Sequence, residues 1–240
     1  DPERMEKAAE LAAELGFDGI DINMGCPDRS IEKQGAGSAL MKSPQLAKEL
    51  IKSAKAGAGN LPVSVKTRVG YNKDELDEWL TILLEAEPAV ITIHARTRKQ
   101  MSKVPADWNY IKRAVEIRDN LKSDTLIVGN GDVINLKDAR EKTQETNADG
   151  VMIGRAIFGN SWLFDESKKE VNIAEKSEIV VEHTKLFERI APHKNFSIMK
   201  KHYKAYVLGW DGAKELRIKL MESKSAKDVE EKINNYLNSV

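Results

Sequence analysis

From residue 1 to about residue 165, short β-branched runs alternate with longer stretches whose apolar residues recur at helical spacing. The runs are Phe17 to Asn23, Pro62 to Arg68, Ala89 to His94, Thr125 to Asn130 and Asp149 to Gly154. The stretches between them are Glu3 to Leu15, Pro44 to Ala56, Lys73 to Ala86, Tyr110 to Asn120 and Asn135 to Thr143. This alternation predicts βα units around a parallel sheet. Beyond about residue 174 no strand-like run remains, and the stretches from Ala174, Ser197, Ala213 and Ala226 read as helices. The boundary is expected near Asp165 to Val171, dividing an α/β domain over 1–168 from an all-helical domain over 169–240.

Strand parity adds chemistry. Alternate side chains of a strand point to opposite faces, and only one face can meet the helices. Ile20 and Ile22, Val63 and Val65, and Ile91 and Ile93 are the apolar sets. The opposite parity holds Asp21, Asn23, Ser64, Lys66, Arg68, Thr92 and His94, and Asn130 ends a fourth strand. In a (β/α)₈ barrel these positions point inward near the C-terminal rim, where that fold builds its active sites. Burying so many polar groups without partners would cost roughly several kcal/mol each, so a polar ligand at the rim is the economical reading.

The candidate chemistry lies on the segments that follow these strands. Cys26 stands in Asp21-Ile-Asn-Met-Gly-Cys-Pro27, a glycine- and proline-bounded loop followed by Gly35-Ala-Gly-Ser38. Such a thiol can be an acid, a nucleophile or a packing residue. Lys66 is a strand-end cation able to stabilise negative charge on a reduced flavin ring, and Arg68 could meet a substrate oxygen or phosphate or pair at the surface. His94 taken alone reads equally as a core histidine, and its place in the set gives it interest. Gly129-Asn-Gly-Asp132 and Val151-Met-Ile-Gly154-Arg155-Ala156 are glycine-bearing turns leading toward helices. Two in succession at the end of a βα series point to a phosphorylated ligand such as FMN.

Composition excludes several classes. Lys+Arg 38 against Asp+Glu 38 gives no net charge, so affinity for a polyanion must come from local clustering. Such clustering occurs between Ala191 and Leu220, where seven basic residues (Lys194, Lys200, Lys201, Lys204, Lys214, Arg217, Lys219) face two acids, Asp211 and Glu215. Tyr203, Tyr206 and Trp210 are interleaved with them. This is either a solvated helix face or an RNA-binding one. The single cysteine excludes an intrachain disulfide, and no HExxH, CxxC, Walker or GxGxxG spacing is found, so no metal is expected. No apolar run approaches the roughly 18 residues needed to span a bilayer, and the chain reads as cytoplasmic with no membrane partner. It opens Asp1-Pro2 with no Met and enters a helical pattern at once, the reading for a processed chain or, as the fold pattern favours, a fragment.

Together these segments resemble the tRNA-dihydrouridine synthase family. The resemblance runs through Asp21 to Pro27 with Gly35 to Leu40, Val63 to Gly70, Ile93 to Thr97, Gly129 to Asp132, Val151 to Arg155, and Phe196 to Leu208 with Leu216-Arg217. It implies an α/β fold of partial TIM-type (β/α) barrel, the last five strands of eight, followed by a small helical domain that grips tRNA. Family members carry three further strands before the helix that opens this sequence, and those strands bear additional flavin contacts. By position, Cys26 resembles the catalytic acid; Lys66, His94, Asn130, Gly131, Asp132, Gly154 and Arg155 resemble the FMN contacts. Asn23 and Arg68 resemble contacts to the target uridine, and Lys200, Lys201 and Lys204 are the expected RNA patch. The implied reaction is FMN-dependent reduction of a tRNA uridine to 5,6-dihydrouridine by a monomeric enzyme, with NADPH or NADH as reductant. The other readings are an FMN barrel acting on a free small molecule, like dihydroorotate dehydrogenase, and a non-catalytic RNA-binding remnant. The basic tail argues against the former.

Overall fold

The computed structural model describes residues 1–168 and 170–239. They form two compact units, Asp1–Gly154 and Arg155–Val240, of which residue 240 lies outside the described residues. The first unit contains α1 (Pro2–Glu14), β1 (Ile20–Asn23), α2 (Arg29–Glu32), α3 (Pro44–Ala58), β2 (Val63–Arg68), α4 (Leu76–Leu84), β3 (Val90–His94), α5 (Asn109–Asn120), β4 (Leu126–Asn130), α6 (Leu136–Thr146) and β5 (Gly150–Met152). The strands pair in parallel in the order β1-β2-β3-β4-β5, as the βα alternation predicts.

Helix starts follow from local chemistry. Asp1 accepts the Arg4 N–H ahead of Pro2, and Asn135 accepts the Asp138 N–H at the head of α6, so each cap satisfies an orphan donor of the first turn. One face of the sheet is apolar: Val65, Ile91, Ile93 and Ile127 are fully buried beneath Leu50, Ile51, Leu80, Leu83 and Ile111 of α3, α4 and α5. Each such side chain contributes about 1.5–3 kcal/mol by leaving water. This packing fixes the register and turns the opposite parity toward the site.

The second unit is helical, with α7 (Ile173–Ile190), α8 (Lys200–Tyr206), α9 (Ala213–Met221) and α10 (Ala226–Leu237). A capping box between Asn172 and Glu175 starts α7. Val180, Tyr203, Leu216, Leu220, Val229 and Ile233 make its core. The division falls after Gly154, so residues 155–168 belong with the helices; residue 169, where the helical domain was expected to begin, lies outside the described residues. The reason is tertiary: Ser161 Oγ lies 3.2 Å from the Tyr206 hydroxyl, and Phe158 stacks on His202 at 6.1 Å. Tyr203 and Tyr206 are 0% and 8% exposed, so they serve the core and cannot stack on nucleic-acid bases. Trp210 donates its indole N–H to the Tyr236 hydroxyl at 2.9 Å.

Candidate active site

Parallel register aligns the polar residues in rows. Asn23 stands opposite Lys66, and Lys66 opposite Thr92; Arg68 stands opposite His94, and His94 opposite Asn130. Partners in a row share a face, and Lys66 and Arg68 are two residues apart on one strand, so Asn23, Lys66, Arg68, His94 and Asn130 all lie on the face opposite the helices.

The Cys26 loop is tied to this face by backbone bonds. Asn23 Oδ1 accepts the N–H groups of Gly25 and Cys26, each at 3.0 Å. Arg68 Nε donates to the Gly25 carbonyl at 2.8 Å. On the far side, Ser38 N–H donates to the Cys26 carbonyl at 3.0 Å, an approach that needs Gly37, where φ is 60° and a Cβ would lie 2.8 Å from that carbonyl. The α2 segment is held in turn by Glu32, which accepts Arg98 Nε at 2.8 Å and the Ser38 hydroxyl at 2.6 Å. Burial raises the Glu32 pKa, but hydrogen bonds from Arg98, Ser38 and Tyr71 more than offset this and leave it lowered. Cys26 itself is half-buried.

Arg68 is 8% exposed, and its NH1 group faces the carbonyls of Thr97 and Met101 at 3.3 and 3.4 Å. Arg68 thereby joins the loops after β1 and β3. Burial, then the neighbouring Arg96 and Arg98 guanidinium groups, lower its pKa. The Lys66 pKa is also lowered, by burial and then by Arg68, against Asp21. Among the described residues Lys66 Nζ has no hydrogen-bond or ion-pair partner. Asn130 donates from Nδ2 to the Met152 carbonyl at 2.8 Å. His94 is held neutral: burial first, then Arg68, Lys66 and Arg96, lower its pKa to about 3 against the opposing effect of Asp132.

Sequence reasoning missed Arg96. It is 2% exposed, contacts His94 Nε2 at 3.0 Å and pairs with Asp132. The available signal was its parity, two residues beyond His94. Asp132 therefore has its carboxylate engaged by Arg96 and by the Ala106 N–H at 2.9 Å. Gly131 adopts φ 130°, and a Cβ there would lie 2.7 Å from Ala106 Cβ. Gly154 is exposed at the end of the first unit, while Arg155 opens a short 3₁₀ turn of the second. In the second unit Lys200 is half-buried, and Lys201 and Lys204 are exposed on α8. Arg217 of the basic set donates to the Val207 carbonyl at 2.8 Å and so braces its own unit. Among the described residues no helix is long and apolar enough to cross a membrane, and no group of three or more His, Cys, Asp or Glu could hold a metal ion.

A parallel sheet of βα units whose strand ends gather Lys66, Arg68 and Arg96 against few carboxylates, beside a strapped loop cysteine, defines an α/β protein of the (β/α) type with a predominantly cationic polar face. Comparison with known proteins agrees. The family described as Dihydrouridine synthase (Dus) matches residues 1–240. A probable tRNA-dihydrouridine synthase of Staphylococcus aureus is 40% identical over 227 residues, 93% of this chain and 69% of that protein. Probable tRNA-dihydrouridine synthase 2 of Bacillus subtilis is 40% identical over 238 residues, 98% of this chain and 73% of that protein. Among solved structures, morphinone reductase in complex with tetrahydroNAD superposes with TM-score 0.51 and 16% identity, covering 71% of this chain and 49% of that one. The old yellow enzyme homologue from Zymomonas mobilis gives TM-score 0.50 and 19% identity over 71% of this chain and 52% of that one. These two likenesses concern the fold. The chain belongs to the dihydrouridine synthase family.

Proposed function

We propose that this chain carries the FMN-dependent reduction of a uridine in tRNA to 5,6-dihydrouridine. The observation that carries the reading is the pair of polar rows, Asn23-Lys66 and Arg68-His94-Asn130, on one face beneath a loop bearing Cys26. The residues suit a flavin: Lys66, Arg68 and Arg96 leave the face short of negative charge, and Lys66 has no partner among the described residues. When bound, FMN would supply the hydride that reduces carbon 6 of the uracil, with NADPH or NADH as its reductant.

The chain's own residues do the rest. Lys66, His94, Asn130 and the Gly131-Asp132 turn would hold FMN, with the Lys66 ammonium stabilising negative charge on the reduced ring. Cys26 would give its thiol proton to carbon 5 on the opposite face, so that one hydride and one proton together reduce the carbon 5–carbon 6 double bond. Thiols are ordinarily protonated at neutral pH and can donate without being tuned. Asn23 and Arg68 would orient the uracil by the groups their loop bonds leave uncommitted. The uridine must leave its stack to reach this face, at a cost of about a few kcal/mol. Lys200, Lys201 and Lys204 would meet tRNA phosphates. The relatives' names favour a tRNA uridine over a free small molecule as substrate.

Flavin absorbance after reconstitution with FMN, followed by dihydrouridine analysis of unmodified tRNA, tests this reading. Bound flavin and a new dihydrouridine are expected; bound flavin with reduction of free dihydropyrimidine precursors alone would support the small-molecule alternative.

A further inference from the structure

Arg96 is a buried cation to which the reaction above gives no role. Each of its nitrogens has a fixed partner: Nε donates to the Val104 carbonyl at 2.7 Å, NH1 meets His94 Nε2 at 3.0 Å, and NH2 pairs with Asp132. Asp132 is fixed too, since its carboxylate also accepts the Ala106 N–H at 2.9 Å. A guanidinium has no acceptor, so the contact with the imidazole has one sense: Arg96 donates, Nε2 accepts, and the ring proton sits on Nδ1. Among the described residues Nδ1 makes no hydrogen bond.

We propose that Arg96, backed by Asp132, is a positioning residue that locks His94 as its neutral Nδ1–H tautomer, so that the ring offers one donor to an oxygen or nitrogen acceptor of the bound ligand. This rests on the flavin reading above for the identity of that ligand. The groups facing the ring are Lys66 and Arg68 from β2, Arg96 from its own loop and Asp132 from beyond β4. Three cations against one carboxylate disfavour a second proton on the imidazole. Burial acts in the same direction. His94 is then a fixed donor and takes no part in proton transfer, which leaves Cys26 as the acid.

The test is long-range proton–nitrogen NMR of the histidine rings in the ¹⁵N-labelled chain without flavin. The sequence has four histidines, and His94→Gln identifies the signals of interest. The expected result is a protonated Nδ1 and a bare Nε2 whose shifts stay constant from about pH 5 to 8, the range in which an ordinary histidine titrates. A His94 that titrates in this range, or that carries its proton on Nε2, overturns the proposal. Arg96→Lys keeps the charge but loses the planar fork that fixes Nε2 as the acceptor, so it should mix the tautomers and weaken FMN binding about tenfold. Asp132→Asn keeps the shape of the clamp should Arg96→Lys fail to fold; a tautomer unmoved by Asp132→Asn would contradict the backing role. Because the spectra need no flavin, failure to bind FMN would count against the flavin reading and leave the tautomer lock standing.

Discussion

Asn23 accepts the backbone N–H of Cys26 at 3.0 Å through the same Oδ1 that accepts Gly25. The bond makes the strand end a template for the loop: the last residue of β1 fixes where the thiol begins. Asn23→Leu removes the acceptor and leaves two N–H groups to find water. Because displacement of a reacting group by about 1 Å can cost about 10²-fold in rate, dihydrouridine formation should fall by that order while FMN affinity holds. Asn23→Asp keeps the acceptor and should retain the loop. Comparing turnover of the two variants checks this, and equal losses would show that the Asn23 amide N–H₂ matters more than the loop bond.

Acid should weaken the fold through His94. The unfolded chain takes up this proton near pH 6.5, the folded chain only near pH 3. Between these values the unfolded state binds more protons, so stability falls as pH drops through the window. Urea midpoints of wild type should therefore decline from pH 7 toward about 5, and His94→Gln should decline less. Parallel curves would mean that His94 is protonated in the folded state as readily as in the unfolded one.

Much of this arrangement was legible in the sequence. The alternation of Ile20-Asp21-Ile22-Asn23, of Val63 to Arg68 and of Val90 to His94 assigned faces to side chains, because only one parity could meet the helices. Ends were less legible. The first strand starts at Ile20 rather than Phe17, which is 58% exposed after the Gly16 turn, and the fifth spans only Gly150–Met152. Arg96 was hidden because its partner Asp132 lies 36 residues on, and no local spacing announces such a pair. Tyr203 and Tyr206, interleaved with lysines in the sequence, are buried, and their spacing of three on a helix is that of an inward face. Residues 155–168 show neither period, so their place with the helices rests on tertiary contacts such as Ser161 with Tyr206.

The basic patch yields a separate expectation for RNA. Lys200 and Lys204 lie four apart on α8, with Lys201 three before Lys204, which places the three on neighbouring positions of one short helix. Changing all three to Gln should weaken tRNA binding and reduce the slope of log affinity against log salt by about 2 to 3, since each lost phosphate contact removes about 0.7 to 0.9. Flavin reduction by NADPH should not change. Affinity measured across a salt series decides the matter, and an unaltered slope would place the RNA elsewhere.

The most direct test of the division of labour between flavin and cysteine is single-turnover oxidation of the pre-reduced enzyme by unmodified tRNA, in wild type and Cys26→Ala. The variant should bind FMN and accept electrons from NADPH as wild type does. Its formation of dihydrouridine should fall by about 10²- to 10⁴-fold, the contribution of a positioned general acid. A Cys26→Ala enzyme whose flavin is reoxidised by tRNA at the wild-type rate, with dihydrouridine as product, would contradict the assignment of Cys26 as the proton donor.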